Sequence, residues 1–243
     1  MQKIEIFVRH CNLSSHSIGR KRLPSFSREL CYYNLKRTSK TDLVNITFMM
    51  DGDVKKHFLK DEKDYEVIKI EGGTEARSFQ NLVEYVNKRD FSDETIIYLL
   101  EDDYFHKDNW PDILLEGFEI SADYISLYDH KDKYCLPEYI KWTSKIFISK
   151  SCHWRTTPTT TNTYAMKFKT FKQHFDIHKK FSDLKTGSSK DHDKFLHLWN
   201  NGYNLLTSIP GYSTHMDNMW LSPAIDWEKL LIKEKNILEN KEK

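Results

Sequence analysis

Cysteine is scarce in this sequence, with four among 243 residues, and the four lie far apart. None of them forms the Cys-x-x-Cys spacing of a zinc ribbon, and their separation argues against a disulfide framework. They are Cys11, Cys31, Cys135 and Cys152. The cysteine pattern therefore predicts reduced thiols, as in a cytosolic protein.

Long apolar runs and an excess of charge are also missing. The 37 Lys and Arg residues nearly balance the 36 Asp and Glu residues, so the net charge is +1 and gives no whole-protein field for nucleic acid. No apolar run approaches the roughly 20 residues that span a bilayer, and the run in MQKIEIFVRHC is too short for a signal peptide. We expect a soluble, cytoplasmic protein with no nucleic-acid partner and with peripheral membrane contact left open.

The first half of the chain alternates strand-like and helix-like segments. The strand-like segments are 3–10, 43–53, 65–73 and 95–100, and helical patterns begin at Ser25 and Glu75. This alternation predicts an α/β fold, with a mostly parallel sheet flanked by helices.

The second half of the chain is less regular and is expected to add a smaller antiparallel portion. A helix followed by a strand is predicted over 111–129, a strand broken at Pro158 over 145–168, and a helix within 188–206. The charged C-terminal tail reads as a surface helix. Because neither a repeat nor a linker divides the chain, we predict one domain over 1–243.

Three adjacent carboxylates, Glu101, Asp102 and Asp103, directly follow the fourth strand-like segment. Asp51 and Gly72–Gly73 end two other strands, and ligands bind α/β sheets at the carboxyl ends of the strands. Alternate side chains of an extended strand share a face, so Glu101 and Asp103 are expected together, opposite Asp102. Two such acids suit Mg²⁺ or Mn²⁺ carrying a diphosphate, and a solvated turn is the alternative.

The stretch YLLEDDYF resembles the acidic DxD motif of glycosyltransferases with the GT-A fold, a Rossmann-like fold, which some members carry as EDD. The resemblance implies that Asp103 binds the metal ion, that Glu101 lies near the ribose, and that Asp102 supports them. It also implies a nucleotide-binding half, 1–110, and an acceptor-binding half, 111–243.

Two further stretches resemble the donor-binding parts of the same family. Asp51 has the position of an acid that hydrogen-bonds the nucleobase, and GGTEARSFQNLVEYV places Arg77 at a base- or phosphate-contacting position. Ser78 stands where the family usually has Asn, so this match is partial. Arg9, in the loop after the first strand, would border the nucleotide, although a surface cation is an equally good interpretation.

The stretch KDHDKFLHLW resembles the motif that carries the catalytic base in this family, which implies that role for Asp191, with Asp193 as a companion acid. An inverting transferase needs a carboxylate to take a proton from the acceptor hydroxyl. The alternative is structural, because acids in a first helical turn stabilise the helix and Ser188 has the spacing of a capping box.

A histidine near the C-terminus completes the metal shell in many family members, which implies that role for His215, and imidazole suits Mn²⁺. The same comparison implies that Trp154 and Arg155 face the acceptor. A core position for Trp154 is equally consistent with the sequence.

The combined interpretation is a metal-dependent inverting glycosyltransferase of polysaccharide biosynthesis. It would move a sugar from a nucleotide-sugar donor, with uridine diphosphate the expected carrier, to a hydroxyl of a glycan or glycoconjugate acceptor. The alternatives are a nucleotidyltransferase acting on sugar phosphates and a non-catalytic carbohydrate-binding protein of the same fold. The single glycine in VRHCNLSSHSIGRKR counts against the nucleotidyltransferase, which usually has a Gly-rich loop there.

Overall fold

A nine-stranded mixed sheet lies at the centre of the computed structural model, which describes residues 2–12 and 17–240. The strands are β1 (Ile4–Cys11), β2 (Val44–Asp51), β3 (Glu66–Ile70), β4 (Ile96–Glu101), β5 (Tyr104–His106), β6 (Tyr124–Ser126), β7 (Ile146–Ile148), β8 (His153–Thr156), β9 (Tyr164–Lys167), β10 (Ser182–Asp183), β11 (Ser188–Ser189), β12 (Leu205–Ile209) and β13 (Ser213–His215). The helices are α1 (Arg28–Thr38), α2 (Glu75–Asn87), α3 (Trp110–Glu119), α4 (Asp132–Cys135), α5 (Phe168–Gln173), α6 (Phe175–Lys180), α7 (Asp191–Asn200) and α8 (Trp227–Glu239).

The strand order in the sheet is β3-β2-β1-β4-β9-β6-β12-β8-β7. The first four strands are parallel to one another, and β9 runs antiparallel between β4 and β6. β6 and β12 therefore run in the direction of β4, and β8 and β7 form an antiparallel hairpin at the far edge. The prediction of a mostly parallel α/β sheet with a small antiparallel part is confirmed.

Helices cover both faces of the sheet. Alternate strand residues point to opposite sides, so each face has apolar side chains to bury. On one face Ile6 and Val8 of β1 pack with α1 and α3, in a cluster that includes Leu35 and Trp110. On the other face Phe7 of the same strand packs with residues of α2, α5 and α7. The result is a Rossmann-like arrangement that leaves the carboxyl ends of the strands open between the two helical layers.

The segment predicted as one strand up to Pro158 is instead a hairpin. β7 and β8 pair with each other around a turn at 149–152, and β8 also pairs with β12. The chain then leaves the sheet at Pro158 and returns as β9, which fits the predicted break. Period-two patterning does not reveal a turn inside such a segment, because both arms of a hairpin alternate in the same way.

The charged C-terminal segment forms α8, which packs on α1. Trp227 and Leu231 are buried. Glu234 is also buried, and Arg37 compensates its charge by binding the carboxylate with contacts of 2.6 and 2.7 Å. Among the residues described, none of the helices combines the length and the apolar character that crossing a bilayer requires.

Candidate functional site

A cavity of about 850 Å³ opens at the carboxyl edge of the sheet, where β1, β2 and β4 end. Strand ends, the start of α2, the turn after β4 and the start of α7 all contribute to its lining. The predicted site residues that line it are Arg9, Asp51, Glu101, Asp102, Asp103, Asp191 and His215. The convergence of these strand ends follows from the parallel order of the strands.

Three other predicted site residues lie away from this cavity. Arg77 is exposed on α2, whereas its neighbour Ser78 is buried and lines the cavity. Trp154 is fully buried on β8 and packs against Gly117, so it belongs to the core and not to an acceptor surface. Arg155 is buried on the opposite face of that strand, where a carboxylate binds it at 2.7 Å.

Each of the three adjacent acids has its own arginine partner. The pairs are Arg9 Nη2 with Glu101 Oε1 at 3.0 Å, Arg28 Nε with Asp102 Oδ1 at 3.0 Å, and Arg22 Nη2 with Asp103 Oδ2 at 2.7 Å. All three arginines come from β1, from the start of α1 or from the segment between them. Guanidinium groups therefore balance the adjacent carboxylates, whereas the sequence pattern predicted a metal ion in that position.

The three acids do not alternate between two faces as predicted. β4 ends at Glu101, and Asp102 and Asp103 belong to the turn that follows, so all three line the same cavity. The period-two rule applies to extended backbone, and it fails where the strand gives way to a turn.

Burial and charge act on these carboxyls in opposite directions. Burial raises the pKa of Glu101 and of Asp102, against the neighbouring arginines. Burial would also raise the pKa of Asp103, but His215 and Arg22 outweigh it and hold that pKa below its usual value. Of the three acids, Asp103 is therefore the one whose ionised form the surroundings favour most, because its two partners stabilise that form.

Asp103 and His215, the predicted metal ligands, lie together. His215 Nε2 is 3.0 Å from Asp103 Oδ2 and 2.9 Å from Arg20 Nη1. Within the described residues, no group of three or more His, Cys, Asp or Glu side chains is placed to hold a metal ion. A cation bound here would need most of its ligands from elsewhere, such as phosphate oxygens and water.

Asp51 is anchored by the two glycines that follow β3. The amides of Gly72 and Gly73 donate to its carboxylate at 3.0 to 3.3 Å. A Cβ at Gly72 would lie 2.4 Å from Asp51 Oδ2, and Gly73 has a φ of +68°. Glycine is needed at both positions, because the backbone approaches the carboxylate closely and then turns with a positive φ.

Asp191 is the first residue of α7 and lines the cavity. Burial raises the pKa of its carboxyl, and Lys194 opposes this shift. Asp193, the predicted companion acid, is exposed and is not among the lining residues. Ser188 belongs to β11, so the capping box predicted from its spacing is absent, and the cap residue Lys190 makes no side-chain cap bond.

Lys194, which was not among the predicted site residues, is buried behind the cavity wall. Its Nζ donates to Asn162 Oδ1 at 2.8 Å and to the Tyr164 hydroxyl at 3.0 Å. Asn162 in turn donates to Ser189 Oγ at 2.5 Å, and Ser189 binds the carboxylate of Glu75. The sequence signal was a lysine next to Phe195, on the apolar side of the predicted helix.

An aromatic group on the other side of the acids was also not predicted from the sequence. His130 and Trp220 both line the cavity, with ring centroids 5.6 Å apart, and Asp217 lies beside them. The position of His130 in the sequence could have indicated this, because His130 follows β6, and the carboxyl end of β6 lies at the same edge of the sheet as that of β4.

Neither a family model nor a curated protein sequence matches this chain. Among solved structures, the fold is similar to that of CMP:2-keto-3-deoxy-manno-octonic acid synthetase complexed with CTP, with a TM-score of 0.53 and 15% identity over 97% of this chain and 99% of that chain. Another match is 4-diphosphocytidyl-2C-methyl-D-erythritol synthase from Anaerococcus prevotii DSM 20548, with a TM-score of 0.46 and 11% identity over 98% of this chain and 99% of that chain. At 15% identity the first likeness shows the fold, which is a Rossmann-like nucleotide-binding one.

The prediction of a UDP-dependent inverting glycosyltransferase is wrong, because a solved structure with a similar fold is a CTP-bound synthetase of the nucleotidyltransferase class. The alternative interpretation, a nucleotidyltransferase, agrees better with that finding. The missing glycines after β1 had counted against it. The structure shows that this segment instead brings Arg22 and Arg28 to the acids that follow β4, and Arg20 to His215.

Proposed function

We propose that this chain is a nucleotidyltransferase that joins a nucleoside monophosphate to a sugar acid or a sugar phosphate and releases pyrophosphate. The observation that carries the proposal is the cavity at the carboxyl edge, in which the arginines around the β1–α1 connection meet the acids that follow β4. The likeness in fold to a synthetase complexed with CTP supports the same class and makes CTP the first nucleotide to test.

The order of the strands gives the cavity enough length for both substrates. Asp51 ends β2, and His130 follows β6, four strand positions away in the sheet. At about 4.8 Å per position, this separation is about 19 Å. A nucleoside near β1 and β2, a triphosphate near β4 and a sugar near β6 would occupy this distance in turn.

The charge of the cavity favours a nucleotide that arrives with a divalent cation. Among the described lining residues, three are arginines and seven are carboxylates: Asp51, Glu75, Glu101, Asp102, Asp103, Asp191 and Asp217. A triphosphate would be repelled by this excess of acids unless a cation accompanied it. Asp103, which lines the cavity, is a hard oxygen ligand of the kind that Mg²⁺ or Mn²⁺ uses together with phosphate oxygens, so it fits such an ion. When bound, it would neutralise charge on the triphosphate.

In the proposed reaction an oxygen of the acceptor attacks the α-phosphorus of the triphosphate. The new P–O bond replaces the bond to the bridging oxygen, and pyrophosphate leaves with that electron pair. Arg20 and Arg28, which line the cavity, would stabilise the charge that builds up on the phosphoryl oxygens. If the attacking oxygen belongs to a hydroxyl, Asp191 would take its proton.

The dependence on Asp191 distinguishes the two kinds of acceptor. A sugar acid attacks through a hydroxyl, which must lose a proton, whereas a sugar phosphate is already ionised at neutral pH. For a hydroxyl acceptor we expect Asp191→Asn to lower kcat by about 100-fold or more, with little change in nucleotide affinity. For a phosphate acceptor the effect should be small. Asp193→Asn is the matched control, because Asp193 is exposed on the same helix turn.

The test is a pyrophosphate-release assay with CTP, UTP, GTP and dTTP, each with Mg²⁺. The acceptors are 2-keto-3-deoxy-manno-octonic acid and glucose 1-phosphate, and mass spectrometry identifies the product. Acceptor-dependent pyrophosphate release with one nucleotide is the expected result. Nucleotide binding without release for any acceptor, or release that is independent of the acceptor, would contradict the proposal.

A further inference from the structure

Beyond the acids, one wall of the cavity is aromatic. Tyr104 and Tyr128 meet edge to face with centroids 5.5 Å apart, Tyr128 lies 4.8 Å from His130, and His130 lies 5.6 Å from Trp220. Tyr104, His130 and Trp220 of this series line the cavity. We call His130 and Trp220 the aromatic pair.

The aromatic pair lies on the side of the acids away from Asp51. Ile125 of β6 and Tyr98 of β4 both pair with Ala165 of β9, so the two strands are level in the sheet. Three residues further on, Tyr128 is level with Glu101, and His130 extends beyond it. The pair is therefore placed past the triphosphate region that the proposed function assigns to the turn after β4.

Neighbouring groups fix the aromatic pair in place. Asp132 Oδ1 is 2.9 Å from His130 Nδ1, and Lys133 binds the same carboxylate at 2.8 Å. The Tyr128 hydroxyl donates to the backbone oxygen of Trp220 at 2.5 Å. Because His130 Nδ1 is engaged in this way, Nε2 is the ring nitrogen available to a ligand.

Trp220 differs from the core tryptophans in that part of its side chain remains accessible. Trp110, Trp154 and Trp227 are buried, with at most 2% of their surface exposed, whereas Trp220 is partly exposed at the cavity. An aromatic side chain on a cavity wall offers a flat apolar face, and such faces line ligand sites where a few polar groups fix the orientation. Asp217 is the polar group beside it, because the Trp220 amide donates to the Asp217 carbonyl at 2.9 Å, and a carboxylate is a hydrogen-bond acceptor for hydroxyl groups.

We propose that Trp220 and His130 form the sugar-binding subsite of this cavity. The C–H face of the sugar ring packs on the indole of Trp220, and ring hydroxyls donate to Asp217 and form a hydrogen bond with His130 Nε2. The proposal rests on the proposed function for the nature of the acceptor, and it replaces Trp154 and Arg155 as the expected acceptor contacts. A sugar ring has an apolar C–H face and hydroxyls at its edge, and this wall offers a complementary surface to both.

The test compares the wild type with Trp220→Ala, Trp220→Phe and His130→Gln, using 2-keto-3-deoxy-manno-octonic acid and glucose 1-phosphate as probes. Tryptophan fluorescence and calorimetry measure sugar binding without catalysis, and steady-state kinetics separates KM from kcat. Trp142→Ala is the control, because Trp142 is exposed but is not among the cavity-lining residues. Thermal unfolding of each variant checks that it is folded.

We expect Trp220→Ala to raise the sugar Kd and KM about tenfold or more, with kcat changed less than about threefold and the CTP Kd unchanged. Trp220→Phe should restore most of the affinity, and both Trp220 variants should lose the sugar-induced fluorescence change. His130→Gln should weaken sugar binding in the same direction. Trp142→Ala should match the wild type.

A sugar Kd that is unchanged in Trp220→Ala would overturn the subsite. A loss of CTP affinity instead of sugar affinity would also overturn it, because it would assign this wall to the nucleobase. A wild type that binds neither sugar probe would overturn it as well. A fluorescence change that depends on Trp220, without nucleotidyl transfer to either probe, would reject the proposed function and keep the subsite.

Discussion

Lys194 is a buried lysine whose charge depends on pH in the neutral range. Its Nζ contacts Asn162 and Tyr164, and burial lowers its pKa to about 7, although the charge of Asp191 opposes this shift. Other charged groups near it are Arg9, which also lowers the pKa, and Glu75, which raises it. Lys194 contacts Asn162 and, through it, Ser189 on the cavity wall. Keeping its ammonium group charged while buried costs free energy, and this cost falls as the lysine deprotonates.

This lysine is expected to make stability depend on pH. Below pH 7 both the folded and the unfolded chain keep its proton, but between pH 7 and about 10 only the unfolded chain does. The free energy of unfolding therefore rises with pH in this window, by up to about 1.4 kcal/mol per pH unit from this group. Lys194→Met removes that contribution. The free energy of unfolding of the wild type should therefore rise relative to that of the variant between pH 7 and 9.

Urea unfolding of both proteins at pH 6.5, 7.5 and 9 measures the difference, and Lys185→Met, at an exposed position, serves as the control. A difference between wild type and Lys194→Met that stays constant over this range would show that the folded pKa is not lowered.

At the scale of elements, the sequence predicted most helices and strands of the first half but not how they meet. Period-two and helical patterns are local, so they located β1, β2, β4 and α2 to within a few residues. The contacts of the site are not local: the residues of the Arg9–Glu101 pair are 92 positions apart, and those of the Arg28–Asp102 pair are 74 apart. Single-sequence patterns carry no information about such pairing, and a metal ion was the simplest partner to infer.

The contact between α1 and the turn after β4 can be tested at Arg28. Arg28→Ala would leave the nearly buried Asp102 without its guanidinium partner, and we expect a loss of about 2 kcal/mol in the free energy of unfolding, because part of Arg28 is exposed. Asp102→Asn in the Arg28→Ala background should recover about half of that loss, since no unpaired charge remains.

Chemical denaturation of the wild type, both single variants and the double variant gives the four free energies of unfolding of a double-mutant cycle. A coupling energy of about 1 kcal/mol or more is expected for two groups in direct contact. Strictly additive effects would contradict the role of this ion pair in holding α1 against the turn.

At the scale of the whole molecule, the near-zero net charge conceals an uneven distribution. The chain has a formal charge of +1, yet seven carboxylates and three arginines are among the described residues of one cavity. The fold class was predictable because alternating elements at this spacing have few arrangements. The proposed enzyme class was not, because acids at the strand ends suit a metal–nucleotide complex in a glycosyltransferase and in a nucleotidyltransferase, so the acidic motif fits either.

This charge distribution predicts that nucleotide binding requires a divalent cation. With Mg²⁺, CTP at about 100 times its Kd should stabilise the folded protein by about 2.7 kcal/mol, seen as a higher melting temperature. With EDTA the shift should vanish, because the acids of the cavity then repel the triphosphate. Asp103→Asn should weaken the Mg²⁺-dependent shift, whereas Asp42→Asn, at an exposed position outside the cavity, should not. An equal shift in Mg²⁺ and in EDTA would mean that the arginines alone hold the triphosphate, and the acids after β4 would then serve to orient those arginines.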